Sequence, residues 1–281
     1  MRAALLLNAA AGRLSRLDAP RGAIEATMAQ AGFEILAVPG GDLDAQWDAA
    51  RAGGAELVFI AGGDGTLRGF ARRLMDTRLP CAPLPGGTMN RICARLGLPP
   101  EPLDAATWYR PGPFMALDAA TLNDEVLLYQ SVVGSPARLL RFREMQRGEG
   151  WRGWLPLALA ALRTLLRDPR RDVVVPIGQN SRASGVAAII TLPEPDSSAA
   201  LTLQVLRPSH SIARLRQLWR WFHGRLAEDP GVLTLVGERL LVHGRGRLIR
   251  VSLDGELMAL APPLRVRLRR GAIILLRPTP A

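Results

Sequence analysis

A buried apolar run, a glycine-rich turn and an amphipathic helix follow one another between residues 57 and 74. This succession constrains the chain more than any other feature. Leu57–Ile60 is apolar and of strand length, and Gly62-Gly63-Asp64-Gly65-Thr66 comes directly after it. Leu67, Phe70, Ala71 and Leu74 then fall at i, i+3, i+4 and i+7, one face of a helix, with Arg68, Arg72 and Arg73 off that face. Three glycines let the backbone turn tightly and approach a ligand. The helix start presents N–H groups without intrahelical partners and the positive end of the helix dipole, which suits phosphate oxygens. Asp64 sets a carboxylate in this anion-attracting turn, which makes sense if a divalent metal bridges carboxylate and phosphates. Its plainer role is a helix N-cap.

The same grammar recurs along the first 110 residues. Strand-like Ala3–Leu7, Glu34–Val38 and Ala82–Leu84 alternate with helix-like Ile24–Ala31, Leu43–Ala52 and Met89–Leu96. Leu84-Pro85-Gly86-Gly87-Thr88-Met89-Asn90 is a second Gly/Thr turn between strand and helix. Alternation of this kind predicts a parallel sheet covered on both faces, and loops at the carboxyl ends of its strands line one crevice. Strand-like runs dominate from about Phe114: 114–119, 126–133, 173–177, 186–192, 201–206, 240–243, 248–253, 264–268 and 273–276. Helical insertions at 136–167 and 212–227 interrupt them. The expected architecture is α/β with two domains. The first is an N-terminal doubly wound, Rossmann-like parallel sheet over 1–113, and the second a mostly antiparallel β-sandwich with helical insertions over 114–270. A last strand within 271–281 returns to the first domain.

Composition narrows the chemistry. The 281 residues carry 36 basic and 25 acidic side chains, a net charge of +11, and every basic one is arginine. Without lysine there is no Walker-type P-loop, no Schiff-base chemistry and no protein-kinase strand lysine. Two cysteines (Cys81, Cys93) and three histidines (His210, His223, His243) are too few and too dispersed for a structural zinc site or a disulfide framework. The Ala3–Leu7 run is shorter than a signal-peptide core, and no run reaches ~18 apolar residues, so a cytoplasmic protein is expected.

With both turns in view, the chain resembles the diacylglycerol kinase catalytic domain family, whose relatives include the sphingosine and ceramide kinases. GGDGT at 62–66 is followed by the PxGTxN pattern at 85–90 and by Val251-Ser252-Leu253-Asp254-Gly255-Glu256, similar to a late Leu-Asp-Gly-Glu motif. Asn8 and Gly12 resemble an Asn-Pro-x-x-Gly turn with Ala9 at the proline, and Asp118 with Asn123 resembles an Asp-x-x-x-x-Asn stretch. The resemblance implies an α/β nucleotide-binding domain followed by a β-sandwich-like domain, with the site in the cleft between them. It implies transfer of the ATP γ-phosphoryl group to a lipid hydroxyl with Mg2+. Residues Asn8, Gly12, Gly62, Gly63, Asp64, Gly65, Thr66, Gly87, Thr88 and Asn90 would meet the nucleotide, and Asp64 and Glu256 would be catalytic, Glu256 as proton acceptor. Asp64 and Asp118 would be the metal ligands. The chain departs from the pattern at Arg91, where the family has Asp, at Pro39-Gly40, and at Asp196-Ser197-Ser198-Ala199, where a structural Asp-Gly is replaced. These departures leave a catalytically impaired lipid- or nucleotide-binding protein as an alternative. A NAD kinase shares GGDGT and is disfavoured by the second turn.

A lipid kinase must reach a bilayer. Residues 138–171 hold nine arginines against three acids around Trp151, Trp154 and a run of leucines, a composition suited to an interfacial helix on anionic lipid. In 212–226, Leu215, Leu218, Trp219, Phe222 and Leu226 share a face ringed by Arg214, Arg216, Arg220 and Arg225. That helix is expected to pack on the second domain with its arginines solvated. The expected partners are a lipid substrate and an anionic membrane surface at the inner face of the membrane. Nucleic acid is not expected, and a homodimer stays open.

Overall fold

The computed structural model describes residues 1–134, 173–177, 181–195, 197–208, 210–244 and 246–280. The insertion expected at 136–167, the Arg/Trp/Leu segment 138–171 and Asp196 lie outside the described residues. The chain divides into two compact units. Unit 1 comprises Met1–Ala119, Glu194–Ser197 and Arg269–Ala281, and unit 2 comprises Ala120–Pro193 and Ser198–Leu268. The division between the units falls at 119/120, inside strand β5 (Phe114–Leu122), whose first residue is the one at which the second domain is expected to begin.

Unit 1 is an α/β layer structure. Its strands β1 (Arg2–Leu7), β2 (Glu34–Leu36), β3 (Leu57–Gly62), β4 (Cys81–Pro85) and the end of β16 (Leu264–Leu276) lie in the order β2-β1-β3-β4-β16, each pair parallel. Helices α1 (Pro20–Gln30), α2 (Leu43–Ala52), α3 (Asp64–Thr77), α4 (Arg91–Arg95) and α5 (Pro102–Ala106) connect them. Buried on both faces, β1 and β3 read as unbroken apolar runs. Alternate residues Ala3, Leu5, Leu7, Leu57 and Phe59 meet Ile24, Met28, Ala105 and Tyr109 in one core. Phe33 and Tyr109 stand edge-on to Phe59 at centroid distances of 5.1 and 5.6 Å. The intervening residues point to the other face, where Trp47 of α2 stacks on Phe70 of α3.

Residues 264–268 and 273–276, expected as two strands, form one. Gly271 sits mid-strand at φ +52°, in the left-handed region that Gly alone enters without cost. Its N–H donates to Asp118 Oδ1 (2.8 Å) and its carbonyl accepts from the Arg78 guanidinium (2.7 Å). The kink is thus stabilised by side chains where the ladder is interrupted.

Unit 2 is an antiparallel sandwich. One sheet has the order β12 (Val232–Gly237), β11 (Leu201–Leu206), β10 (Ala187–Thr191), β7 (Gln130–Gly134), β14 (Ile249–Leu253), β15 (Glu256–Leu260). The other includes β13 (Arg239–Gly244), β8 (Val173–Ile177), β9 (Ser181–Gly185) and the start of β16. Val133, Ile190, Leu203 and Val251 of the first sheet share a core with Val173, Val175, Val242 and Val266 of the second.

The run 126–133, expected as one strand, is two: β6 (Glu125–Leu127) and β7. The break is made from a distance. Asp254 accepts the N–H groups of Leu128 (2.9 Å), Tyr129 (2.7 Å) and Gln130 (3.0 Å), which bends the chain out of the ladder. Asp254 itself stands at φ +50° and Gly255 at φ +101°, the geometry of a tight Asp-Gly hairpin between β14 and β15.

Helix α6 (Ser211–Phe222) departs in part from the expectation that its apolar side packs inward: Leu226, just beyond it, is buried and Leu218 is half-buried, but Leu215 and Trp219 face out. Among its described side chains Ala213 and Gln217 are buried, while Ile212, Leu215 and Trp219 are 73%, 53% and 53% exposed. The helix is pinned by its polar side. Asp229, whose side chain is fully buried, receives Arg216 Nε at 2.6 Å and Gln217 Nε2 at 3.1 Å, with Arg220 Nη1 at 3.4 Å. These cations and N–H donors hold the Asp229 carboxyl below the usual range, at about 2.

Candidate functional site

Three turns at the carboxyl ends of β1, β3 and β4 meet within unit 1. The first, 8–13, follows β1. Its Asn8 amide donates to Thr66 Oγ1 of the second turn (2.9 Å), and Asn8 Oδ1 accepts the N–H of Ala10 (3.2 Å). The second and third turns touch through their main chains. Gly86 N donates to Gly62 O (2.7 Å), and Gly86 O accepts from Arg13 N (2.8 Å). One hydrogen-bonded thread therefore runs from 13 through 86 to 62.

These approaches are why the turns are built of glycine. A Cβ on Gly87 would lie 2.5 Å from Gly63 Cα, and one on Gly62 would lie 2.6 Å from the Thr66 side chain. Gly12 is looser, with a Cβ ordinarily spaced at 3.4 Å from Thr88 Oγ1. Asn90 closes the third turn on itself. Its amide accepts from Gly87 N and donates to Gly87 O, both at 2.8 Å, while its backbone takes φ +47°. Asparagine is among the few side chains that tolerate that conformation. Gly63 is the N-cap of α3, so the first-turn N–H groups at Asp64, Gly65 and Thr66 lack intrahelical acceptors. A fourteen-residue helix aims its positive end at this point.

Asp64 has a definite job. Its Oδ2 accepts the N–H of Arg91 (3.0 Å) and its Oδ1 that of Ile92 (3.1 Å). The carboxylate therefore caps α4 from across the site and clamps the second turn to the third. Because residue 91 contributes its backbone N–H, arginine there makes this bond as well as any other non-proline residue. Each Asp64 oxygen retains a lone pair, so the carboxylate keeps acceptor capacity for a further ligand. Among the described residues no three His, Cys, Asp or Glu side chains gather as a metal cluster. Mg2+ commonly takes only one or two protein carboxylates and completes its shell with phosphates and water. One carboxylate beside a phosphate cradle fits that pattern.

Asp118 is placed otherwise. Its carboxylate pairs with Arg270 (2.8 Å) and holds Gly271 N, so its partners here are a guanidinium and a bulge amide. Glu256 belongs to unit 2, is exposed, and opens β15 opposite Leu253. Thr88 is also exposed.

Two residues that sequence reasoning missed support the first turn. The edge strand β2 pairs only with residues 2–4 of β1. Beyond that point side chains replace the missing strand. Arg21 donates to Leu5 O (3.1 Å), while Gln46 accepts from Leu7 N (2.8 Å) and donates to Leu7 O (3.1 Å). Gln46, fully buried on α2, also accepts from Arg21 (2.9 Å). The end of β1, one residue before Asn8, is thereby fixed. A buried glutamine on a helix face otherwise lined by Trp47 and Ala50 is the available signal.

Burial pushes the Cys81 and Cys93 thiols up, Cys93 further through the nearby Asp64 charge, so neither is a nucleophile.

Residues 2–122 match the model of the diacylglycerol kinase catalytic domain. Over 124 residues the chain is 32% identical to a diacylglycerol kinase of Mycobacterium tuberculosis, covering 43% of this chain and 40% of that one. Over 99 residues it is 35% identical to a Salmonella heidelberg protein named "Probable lipid kinase YegS", covering 34% and 33%. The chain spans between a fifth and two fifths of the length of the curated relatives it matches. In fold, it superposes on a diacylglycerol kinase structure from Bacillus anthracis with a TM-score of 0.69 at 15% identity, covering 98% of this chain and 96% of that one.

Proposed function

We propose that this chain, whose residues 2–122 match the diacylglycerol kinase catalytic domain, is a lipid kinase that transfers the γ-phosphoryl group of ATP to the hydroxyl of a diacylglycerol or a ceramide- or sphingoid-type lipid. The observation that carries this reading is the laced set of turns at 8–13, 62–66 and 85–90, with the α3 N-terminus aimed into it. Phosphoryl transfer passes through a loose transition state, so positioning and charge neutralisation supply most of the rate. A rigid cradle of main-chain N–H groups provides both.

The residues divide the work by chemistry. The N–H groups of Asp64, Gly65 and Thr66 bind phosphate oxygens. Asn8 holds the Thr66 hydroxyl in place, and Thr88, exposed at the third turn, meets the nucleotide. Mg2+, when bound with ATP, offsets charge on the phosphates, and Asp64 is the carboxylate positioned to share it. Glu256 accepts the proton of the lipid hydroxyl as that oxygen bonds to the γ-phosphorus and the bond to the ADP oxygen breaks.

A second reading is a binding protein of the same family with little turnover. The pairing of Asp118 with Arg270 and the use of both Asp64 oxygens as caps favour it. The test is incubation with radiolabelled ATP, Mg2+ and separate mixed micelles of diacylglycerol, ceramide and sphingosine, with Asp64→Asn and Glu256→Gln alongside. Label in one lipid, lost in both variants, is expected and identifies the substrate. ATP binding without label in any lipid selects the second reading, and phosphorylation of NAD would overturn both.

A further inference from the structure

We propose that the outward face of α6 is a docking surface for an anionic lipid bilayer. Ile212, Leu215 and Trp219 fall at i, i+3 and i+7 and form one exposed stripe. Scattered exposed apolar residues need no explanation, but an aligned stripe on one helix does. The helix is not exposed by default. Its polar side is drawn inward by a buried carboxylate, which bonds Arg216 and Gln217 and pairs with Arg220, while Gly231 N donates to the same Asp229 at 2.9 Å. Arg220 additionally donates to Glu228 O at 2.7 Å. The chain has thus fixed the rotation of the helix so that Trp221 packs inward while the Ile212, Leu215 and Trp219 stripe faces outward.

Charge chooses the occupant. Residues 207–229 hold five arginines (207, 214, 216, 220, 225) and two carboxylates. Asp229 is buried, and Glu228 pairs with Arg225 at 2.8 Å. Arg216 and Arg220 share the single Asp229, so the segment keeps a net charge of +3 beside the stripe. Basic residues flanking a Trp/Leu stripe suit the headgroup region of an anionic leaflet, where the indole sits at the interface and arginines meet phosphates. A second copy of this chain fits less well, because a two-fold pairing would set one net-basic segment against another on chains that each carry +11. The choice of a bilayer rests on the lipid-kinase reading, which requires the enzyme to meet a lipid surface.

The test uses the full chain in two assays. Sedimentation with vesicles of phosphatidylcholine, with and without phosphatidylserine, reads docking. Phosphorylation of a short-chain, water-soluble diacylglycerol reads the active site independently of docking. Leu215→Ser/Trp219→Ser is compared with wild type, with Ile212→Ser as a second, milder variant. These positions are exposed, so thermal melts should match wild type. Wild type should sediment with the phosphatidylserine vesicles, and the double variant should lose about tenfold or more of that partitioning while keeping turnover of the short-chain lipid. Equal partitioning of variant and wild type, or no binding of wild type to anionic vesicles, overturns the proposal. So does a concentration-dependent dimer in sedimentation velocity that the double variant abolishes. Failure of short-chain turnover in wild type would instead count against the kinase reading, leaving the vesicle result to decide this surface.

Discussion

Replacing Gly87 by alanine should separate two turns that main-chain contact holds together. The added Cβ would stand 2.5 Å from Gly63 Cα, 3.3 Å from Gly63 N and 3.1 Å from Asn90 Oδ1. Ordinary carbon–carbon contact is about 3.5–4.0 Å, so the Gly63 backbone and residue 87 must part by about an ångström. Neither atom belongs to a side chain that can rotate away. Overpacking of this kind costs about 1–3 kcal/mol. The displacement falls on the N-cap of α3, where phosphate is proposed to bind. A loss of about 1.4 kcal/mol or more there is at least tenfold in nucleotide affinity. Gly69 is the internal control. It lies in the same helix, and a Cβ there meets nothing within 4 Å. Gly69→Ala should stabilise by about 0.5–1 kcal/mol through helix propensity alone. Urea unfolding followed by circular dichroism gives the stabilities, and calorimetric titration with a non-hydrolysable ATP analogue gives the affinities. Two alanines of opposite sign in stability, with only Gly87→Ala weakening the nucleotide, is the expected result. A Gly87→Ala protein as stable as wild type with unchanged affinity would refute the reasoning.

Asp64→Ala removes the acceptor for two N–H groups at the start of α4 and should cost about 2–3 kcal/mol in urea unfolding, while Asp64→Asn, which keeps one carbonyl acceptor, should cost about half as much. Gln46→Ala leaves the Leu7 N–H and carbonyl without their partners and should lower stability by about 1–3 kcal/mol, with a loosened 8–13 turn visible as faster amide exchange at Asn8 and Ala10. Asp229 titrates at about 2 in the fold against an ordinary 3.8. A depressed carboxyl contributes stability that is complete above the unfolded value and disappears as pH falls through the folded one. About 2 kcal/mol should therefore be lost between pH 4 and pH 2 beyond any loss in Asp229→Asn, measured by denaturant titration at each pH.

Much of unit 1 was readable because its signals are local. The 62–66 turn lies between a run buried on both faces and a helix with one apolar stripe, and α2 falls on Leu43–Ala52 as its pattern predicts. Where reading failed, the deciding partner was distant. Val126–Val133 is a good strand by composition, and Asp254, about 125 residues on, breaks it. Residues 264–276 look interrupted at Gly271, and Asp118 with Arg78 carries the strand through. Ser181–Gly185 has almost no apolar signal and is a strand because β8 pairs with it. For α6 the amphipathic pattern was legible but its rotation was not. Asp229, outside the helix, chose which side faces in. The candidate site divides in the same way. The glycines announced themselves and Asp64 read as a cap of its own helix, whereas its actual place as the cap of α4, with Gly63 at the N-cap of α3, and the supporting role of Gln46 needed the third dimension.

The lacing of the three turns also bears on how a ligand arrives. Ordering one residue of free chain costs about 1–2 kcal/mol, so a floppy five-residue loop that closed around phosphate would surrender several kcal/mol of affinity to its own freezing. Here Gly86, Asn8 and Asp64 have immobilised the 62–66 segment as part of folding. An anion bound as proposed would meet a mould already set. Association should then be a single fast step without a slow rearrangement, with little entropy lost by the protein. If nucleotide binds there as proposed, stability should rise with its free concentration c as RT ln(1 + c/Kd), and the melting temperature with it, continuing past saturation of the site.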